Sequence, residues 1–199
     1  MSNDTIGKKS FYDFALRLIK PICALFYPTK VIGLENIPDG AAIICANHSN
    51  YIDPVLIGIA AGKKHMIHFM AKAELFENRL FGGLLRKLGT FPVHRGTSDI
   101  DSVRTSMKLL RGGEKIMMFP EGTRVAQDDA VAAKSGAVRL ATKLDVPIVP
   151  VHLPRGKKVF RKVLVVIGEP YKVTAENGKY DVAASELMER IKELRGSAV

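Results

Sequence analysis

Apolar residues along this chain follow two alternating rhythms. Short continuous runs bounded by Gly, Pro or Asn predict strands at "VIGLE" (31–35), "AAIICA" (41–46), "MIHFMA" (66–71), "TFPVH" (90–94), "EKIMMF" (114–119), "PIVPVHL" (147–153) and "KVLVVIG" (162–168). Between them, "PVLIGIAAG" (54–62), "SDIDSVRTSMKLLRGG" (98–113), "AKSGAVRLATKLD" (133–145) and "YDVAASELMERIKELRG" (180–196) predict helices. In the second of these, Ile100, Val103, Met107 and Leu110 recur at three and four, and Gly112-Gly113 stops the helix. Unbroken apolar runs such as "IIC", "IMMF" and "VLVVI" predict a sheet covered on both faces. The fold class that follows is α/β: a single layered domain whose mostly parallel or mixed sheet is flanked by helices.

The N-terminal stretch "FYDFALRLIKPICALFY" (11–27) adds an amphipathic helix ahead of the first strand. Asp13, Arg17 and Lys20 interrupt it, so it lacks the roughly 18 to 20 continuous apolar residues of a spanning helix. Pro21 is expected to kink or end the helix. The pattern fits a helix lying on a bilayer and equally one packed on the domain. Residues 1–29 are accordingly read as an N-terminal amphipathic, membrane-associating segment and 30–199 as the main domain.

Charge narrows the partners. Thirty Lys and Arg against 20 acidic residues give a net charge of +10, which attracts polyanions: nucleic acid, anionic lipid headgroups or phosphorylated small molecules. Cys23 and Cys45 match no zinc spacing and are too few for a disulfide framework, so both are expected to be buried thiols in a reducing compartment. "MSNDTIGKKS" lacks the order of a signal peptide, which predicts a cytoplasmic protein.

Candidate chemistry begins at "NHSNYID" (47–53). The strand "AAIICA" ends directly before it, leaving His48 at a strand's carboxyl edge, where open α/β sheets place ligands. Asp53-Pro54 is also a good helix start, because Asp caps exposed N–H groups and Pro suits the first helical position. On a regular helix, residues five apart are rotated by about 140°, so His48 and Asp53 would not meet. They meet only if the residues between them form a turn. Asp53 would then hold one imidazole nitrogen as a donor and leave the other free to take a proton. A structural histidine beside a helix cap is the alternative reading.

Two further stretches carry polar groups at strand ends. In "FPEGTR" (119–124) an apolar strand opens into Glu121, Gly122, Thr123 and Arg124: glycine admits close backbone approach, and arginine offers a fork matched to phosphate oxygens. In "GTFPVHRG" (89–96) Arg95 follows another apolar run, and with Arg124 it would make a pocket for a phosphate. Each arginine alone reads first as a solvated surface charge, and "FPEGTR" alone as a turn with a surface Glu–Arg pair. The chain has no Walker pattern, no G-x-G-x-x-G and no G-x-S-x-G. "HMIH" (65–68) falls in a predicted strand, where residues three apart point to opposite faces, so no metal site is expected.

"NHSNYID", "FPVHRG", "FPEGTR" and "VPIVPV" (146–151), in that order, resemble the glycerolipid acyltransferases with an H-x-x-x-x-D motif, most of all the 1-acylglycerol-3-phosphate (lysophosphatidic acid) acyltransferases. Further likeness lies in "AKAEL" (71–75) and "KSGAVRLA" (134–141). The resemblance makes His48 a general base and Asp53 its orienting partner. It assigns Arg95, Glu121, Gly122, Thr123 and Arg124 to the glycerol-phosphate acceptor and adds Lys72 as a phosphate ligand. Val125 stands where the family commonly has serine, which removes a possible hydroxyl contact. Backbone N–H groups near Gly122 are candidate donors to the carbonyl oxygen.

What the resemblance implies is a peripheral enzyme on the cytoplasmic face of the cell membrane, with 30–199 as its acyltransferase domain. It would move an acyl chain from acyl-CoA or acyl carrier protein to the sn-2 hydroxyl of lysophosphatidate, giving phosphatidate, without a cofactor. Its partners would be an anionic membrane surface and these substrates, with no nucleic acid; 14 Phe and Tyr and no Trp offer little for base stacking. The same chemistry on glycerol 3-phosphate or another lysophospholipid, and a non-catalytic basic binding module, are the alternatives. "NRLFGGLLRKLG" (78–89) is read as an interfacial helix, an acyl-chain wall or a helix packed on the sheet. "RGKKVFRK" (155–162), with five basic residues in eight, is read as meeting headgroups or coenzyme A phosphates, or as a solvated hairpin.

Overall fold

In the computed structural model, which describes residues 7–94, 99–128, 131–175 and 178–196, seven strands form one mixed sheet. They are β1 (Thr29–Ile32), β2 (Ala42–Ala46), β3 (Ile67–Lys72), β4 (Phe91–Val93), β5 (Lys115–Met118), β6 (Ile148–His152) and β7 (Val163–Ile167). Their order across the sheet is β1-β7-β6-β2-β5-β3-β4. β2 is parallel to β5 and β6, and β3 to β4 and β5, while β7 runs antiparallel to β6 and pairs in parallel with β1. Five strands therefore end on one edge, the edge at which such sheets carry ligands.

The helices α1 (Lys9–Phe26), α2 (Asp53–Ala61), α3 (Arg79–Lys87), α4 (Ile100–Arg111), α5 (Gly136–Leu144) and α6 (Tyr180–Glu193) follow the predicted alternation. Successive β2 residues serve opposite faces, as the period of two requires. Ile44 and Ala46 pack with Leu56, Ile57, Ala60 and Ala61 of α2; Ile43 and Cys45 pack with α4, α5 and α6 through Leu109, Leu110, Val138, Leu140 and Leu187. All five β2 residues are fully buried, which is why that run reads as unbroken apolar sequence. Each fully buried Ile or Leu contributes roughly 1.5–3 kcal/mol, so β2 and its two covering layers hold the site's floor rigidly.

Several expectations change in detail. β1 ends at Ile32 because Gly33 adopts φ 75°, and Leu34–Asn36 form a 3-10 turn, so "VIGLE" is only half strand. α4 buries Ser102, Ser106, Leu109 and Leu110, whereas Ile100 and Val103 are exposed. The two serines tolerate burial because their hydroxyls bond back to Asp99 and Ser102 carbonyls at 3.0 and 2.8 Å. Pro21 does not end α1, which continues to Phe26; Pro21 and Arg17, whose carbonyl loses its partner, both sit at exposed positions. His65 lies outside β3, and His68 bonds the Gly89 carbonyl at 2.9 Å. Cys23 and Cys45 are both buried and free.

Candidate active site

The residues between His48 and Asp53 form a turn, and its polar side chains and backbone explain why. Asn47, at the end of β2, clamps the Leu153 backbone beyond β6 with both amide atoms, at 2.8 and 2.9 Å. The chain then bends: Ile52 N–H donates to Asn50 Oδ1 and Asp53 N–H to the Asn50 carbonyl, both at 3.2 Å. Asp53 opens α2, with Pro54 in its first turn, but it does not cap that helix. Its carboxylate turns back instead, and Oδ2 accepts the N–H groups of Ser49 and Asn50 at 2.7 and 2.8 Å and meets His48 Nδ1 at 3.0 Å.

Asp53 is a buried anion. Burial pushes its carboxyl up, but the hydrogen bond with His48, the hydrogen bond and charge of Lys157 and the Asn50 N–H outweigh it and hold it below the usual carboxylate range. Lys157 Nζ lies 2.8 Å from Asp53 Oδ1, with both side chains fully buried. An ionised Asp53 is acceptor-only, so Nδ1 of a neutral His48 carries the proton and Nε2 the lone pair. Among the described residues no hydrogen bond occupies Nε2. The imidazole plane is set by Phe119, stacked at 3.9 Å between ring centroids.

The "FPEGTR" turn locks onto the same histidine from β5. Glu121 is buried, and its Oε2 accepts the His48 backbone N–H at 2.8 Å. Its Oε1 pairs with Arg155, which also bonds Asp128 Oδ1 and the Val125 carbonyl at 2.7 and 2.6 Å. Val125 N–H returns to the His48 carbonyl at 2.8 Å. Gly122 sits at φ 67°, in the left-handed region that favours glycine and strains other residues. The Gly122 N–H is spent on the Phe119 carbonyl at 2.9 Å, which removes it as a donor to a reacting carbonyl. Arg124 is exposed and stacks on Tyr51 at 3.5 Å, joining this turn to the first.

An ordered histidine held by a buried carboxylate, beside an exposed arginine, can take a proton from a bound hydroxyl next to an anionic group. The acyltransferase family model matches residues 28–153, from just before β1 to the end of the Asn47 clamp. The chain belongs to the acyltransferase family. A 1-acyl-sn-glycerol-3-phosphate acyltransferase of Bacillus subtilis is 38% identical over 165 residues, covering 80% of this chain and 81% of that one. A chloroplast enzyme of the same name from Arabidopsis thaliana is 28% identical, and the match takes in 94% of this chain but 54% of its relative. Among solved structures, the 1-acyl-sn-glycerophosphate acyltransferase of Thermotoga maritima superimposes with a TM-score of 0.67 at 26% identity, covering 94% of this chain and 78% of that one.

Within this acyltransferase the sequence-predicted residues separate into three groups. His48, Asp53, Glu121 and Gly122 form one connected structure, in which Glu121 is committed to protein groups and the Gly122 N–H to the Phe119 carbonyl. Thr123 and Arg124 are exposed beside it. Lys72 ends β3 on the same sheet edge, its ammonium paired with Glu74 at 2.8 Å. Arg95 lies outside the described residues.

Two residues that sequence reasoning missed complete the site. Arg155 and Lys157 belong to "RGKKVFRK", the connection between antiparallel β6 and β7, and both turn inward rather than toward solvent. Lys158, Arg161 and Lys162 of the same run are exposed. The available signal was position: the run follows a strand that neighbours β2, so its first residues start from the edge that carries His48.

Proposed function

We propose that the chain transfers an acyl group from an acyl thioester to the sn-2 hydroxyl of 1-acylglycerol 3-phosphate, forming phosphatidate. The observation that carries this reading is the His48 Nδ1 contact with a buried, ionised Asp53. His48 Nε2 takes the hydroxyl proton as the oxygen attacks the thioester carbonyl carbon. As the tetrahedral centre collapses, the C–O bond remains, the C–S bond breaks, and the imidazolium returns the proton to the departing sulfur. Base catalysis of this kind contributes on the order of 10²- to 10⁴-fold. Arg124 faces the acceptor phosphate, and the names of the relatives support that acceptor. Arg95 and Lys72 are the further cations assigned to the phosphate.

The lipid substrate requires a membrane surface. No helix among the described residues is long and apolar enough to cross one. α1 instead exposes Phe14, Leu18, Ile22 and Leu25, a stripe at helical spacing. Lys87 of α3 lies over Phe11 of α1 at 5.7 Å, and α3 exposes Leu80, Phe81 and Leu84. At the other end of α1, Phe26 meets exposed Phe160 at 5.5 Å, beside the basic residues of the β6–β7 connection. This run of exposed apolar residues flanked by cations supports peripheral binding to anionic lipid on the cytoplasmic face.

The test is purified protein assayed with acyl-CoA and acyl carrier protein donors against lysophosphatidate, glycerol 3-phosphate and an uncharged monoacylglycerol, with products identified by mass. Phosphatidate as the dominant product is expected. Preferential use of glycerol 3-phosphate would move the activity to a different acceptor, and no thioester consumption with any acceptor would leave only a binding module.

A further inference from the structure

Lys157 is placed unlike any other basic residue of its run. Its side chain is fully buried, and its ammonium lies close to three oxygens: Asp53 Oδ1 at 2.8 Å as an ion pair, and Ser49 Oγ at 3.0 Å and the Pro154 carbonyl at 2.5 Å as hydrogen bonds. It lies outside the segment matched by the family model. A buried ammonium is costly unless it is paired and hydrogen-bonded; here it donates to Ser49 Oγ and the Pro154 carbonyl and is ion-paired with Asp53. Two of its acceptors belong to the turn that carries the pair: Ser49 follows His48, and Asp53 closes the turn.

Asp53 therefore has its two oxygens divided. Oδ2 takes His48, Ser49 N–H and Asn50 N–H, and Oδ1 takes Lys157. The other charged groups in contact with the pair or its backbone, among the described residues, come from the β5 exit and the β6–β7 connection. Glu121 accepts the His48 N–H, and Arg155, 3.4 Å from the His48 carbonyl, is paired with Glu121 and Asp128. Arg155 is committed to those two carboxylates, so Lys157 is the cation that answers Asp53.

We infer that Lys157 is a positioning residue for the pair: its ammonium fixes Asp53 as an acceptor and keeps His48 and Asp53 from becoming a closed ion pair that would retain the transferred proton. Without that cation, a protonated His48 faces an uncompensated carboxylate and holds its proton more tightly. With it, the carboxylate orients the imidazole while part of its charge is already answered. The inference rests on His48 acting as the base.

The experiment compares kcat/KM against pH for the wild type, Lys157→Met, Lys157→Gln and Lys157→Arg, using a 1-acylglycerol 3-phosphate and an acyl-CoA. Lys157→Met and Lys157→Gln should both move the acid limb upward by about one pH unit, at the low end for loss of a close charge. Lys157→Arg should return the limb toward the wild-type position, whatever its maximal rate. The same upward movement should appear in the His48 ring signals of Lys157→Met followed by NMR, which needs no turnover. An acid limb unmoved in Lys157→Met, or equally moved in Lys157→Arg, overturns the inference. If the neutral variants fold but are too unstable to assay, thermal melts in the wild-type and Asp53→Asn backgrounds decide. Lys157→Met should cost much less there than in the wild type, and an equal cost would reduce Lys157 to a space-filling role. His48→Ala, run alongside, separates the readings: its full activity would remove the base itself, whatever Lys157 does.

Discussion

The Arg124 guanidinium lies over the Tyr51 ring at 3.5 Å, so the exposed cation of the "FPEGTR" turn rests on the turn that carries His48 and Asp53. A flat, pre-ordered guanidinium loses little freedom when it receives an anion, and it is more weakly hydrated than an ammonium. Arg124 is therefore placed to select an acceptor by its phosphate rather than to take part in the proton transfer.

Arg124→Ala should raise KM for lysophosphatidate by roughly 10- to 100-fold, the range for loss of a charged hydrogen bond. The rate with an uncharged monoacylglycerol should hardly change. Steady-state kinetics with both acceptors check this, and an equal loss with each would show that Arg124 supports the fold of the site instead.

Asp53→Asn keeps the side chain's shape but replaces an anion by an amide and leaves the Lys157 ammonium facing a neutral group. Turnover should fall by roughly 10²- to 10³-fold as His48 loses its fixed tautomer, and stability at neutral pH should fall by roughly 3–5 kcal/mol, the cost of breaking a buried pair. The sign with pH follows from the lowered folded-state value: the anion contributes stability above the ordinary aspartate value of 3.8, and this is lost as pH falls through the still lower folded value. The gap in melting temperature between wild type and variant should be full near neutrality and shrink below about pH 4. A gap that stays constant into acid would contradict the assignment of Asp53 as the buried ion.

Replacing Leu18 and Ile22 of α1 by glutamate should leave the melting temperature nearly unchanged, because both side chains are already 57% exposed. Partition onto anionic vesicles should fall at least roughly tenfold, since each such residue contributes about 1.5–3 kcal/mol when buried. Vesicle sedimentation measures it, and unaltered partition would remove α1 from the membrane contact.

How much of this could be read from the sequence depends on the range of the interaction. The α/β alternation and the sheet edge holding His48 follow from local periodicity, whereas the residues between His48 and Asp53 were only compatible with a turn, and the contacts of the Asp53 carboxylate show that they form one. Asp53 was legible as a helix start, but its carboxylate turning back to Ser49 and Asn50 depends on the His48 and Lys157 contacts that hold it. Arg155 and Lys157 were hidden inside a basic run whose composition points to solvent, because their partners Glu121 and Asp53 lie 34 and 104 positions away. In α4, a regular apolar spacing named Ile100 and Val103, yet the helix turned its serines inward, since small hydroxyl residues that bond their own backbone pack closely without penalty. Gly122 was read as a source of backbone donors, and only the turn geometry reveals that its N–H is already taken.

The central claim is that His48, oriented by Asp53, removes the proton from the acceptor hydroxyl. The most direct measurement is single-turnover transfer from an acyl thioester to lysophosphatidate by His48→Ala, with circular dichroism and thermal melting establishing that the variant is folded. The account predicts a folded protein that still binds lysophosphatidate but transfers acyl groups at least roughly 10²-fold more slowly. A folded His48→Ala variant with wild-type transfer would contradict it.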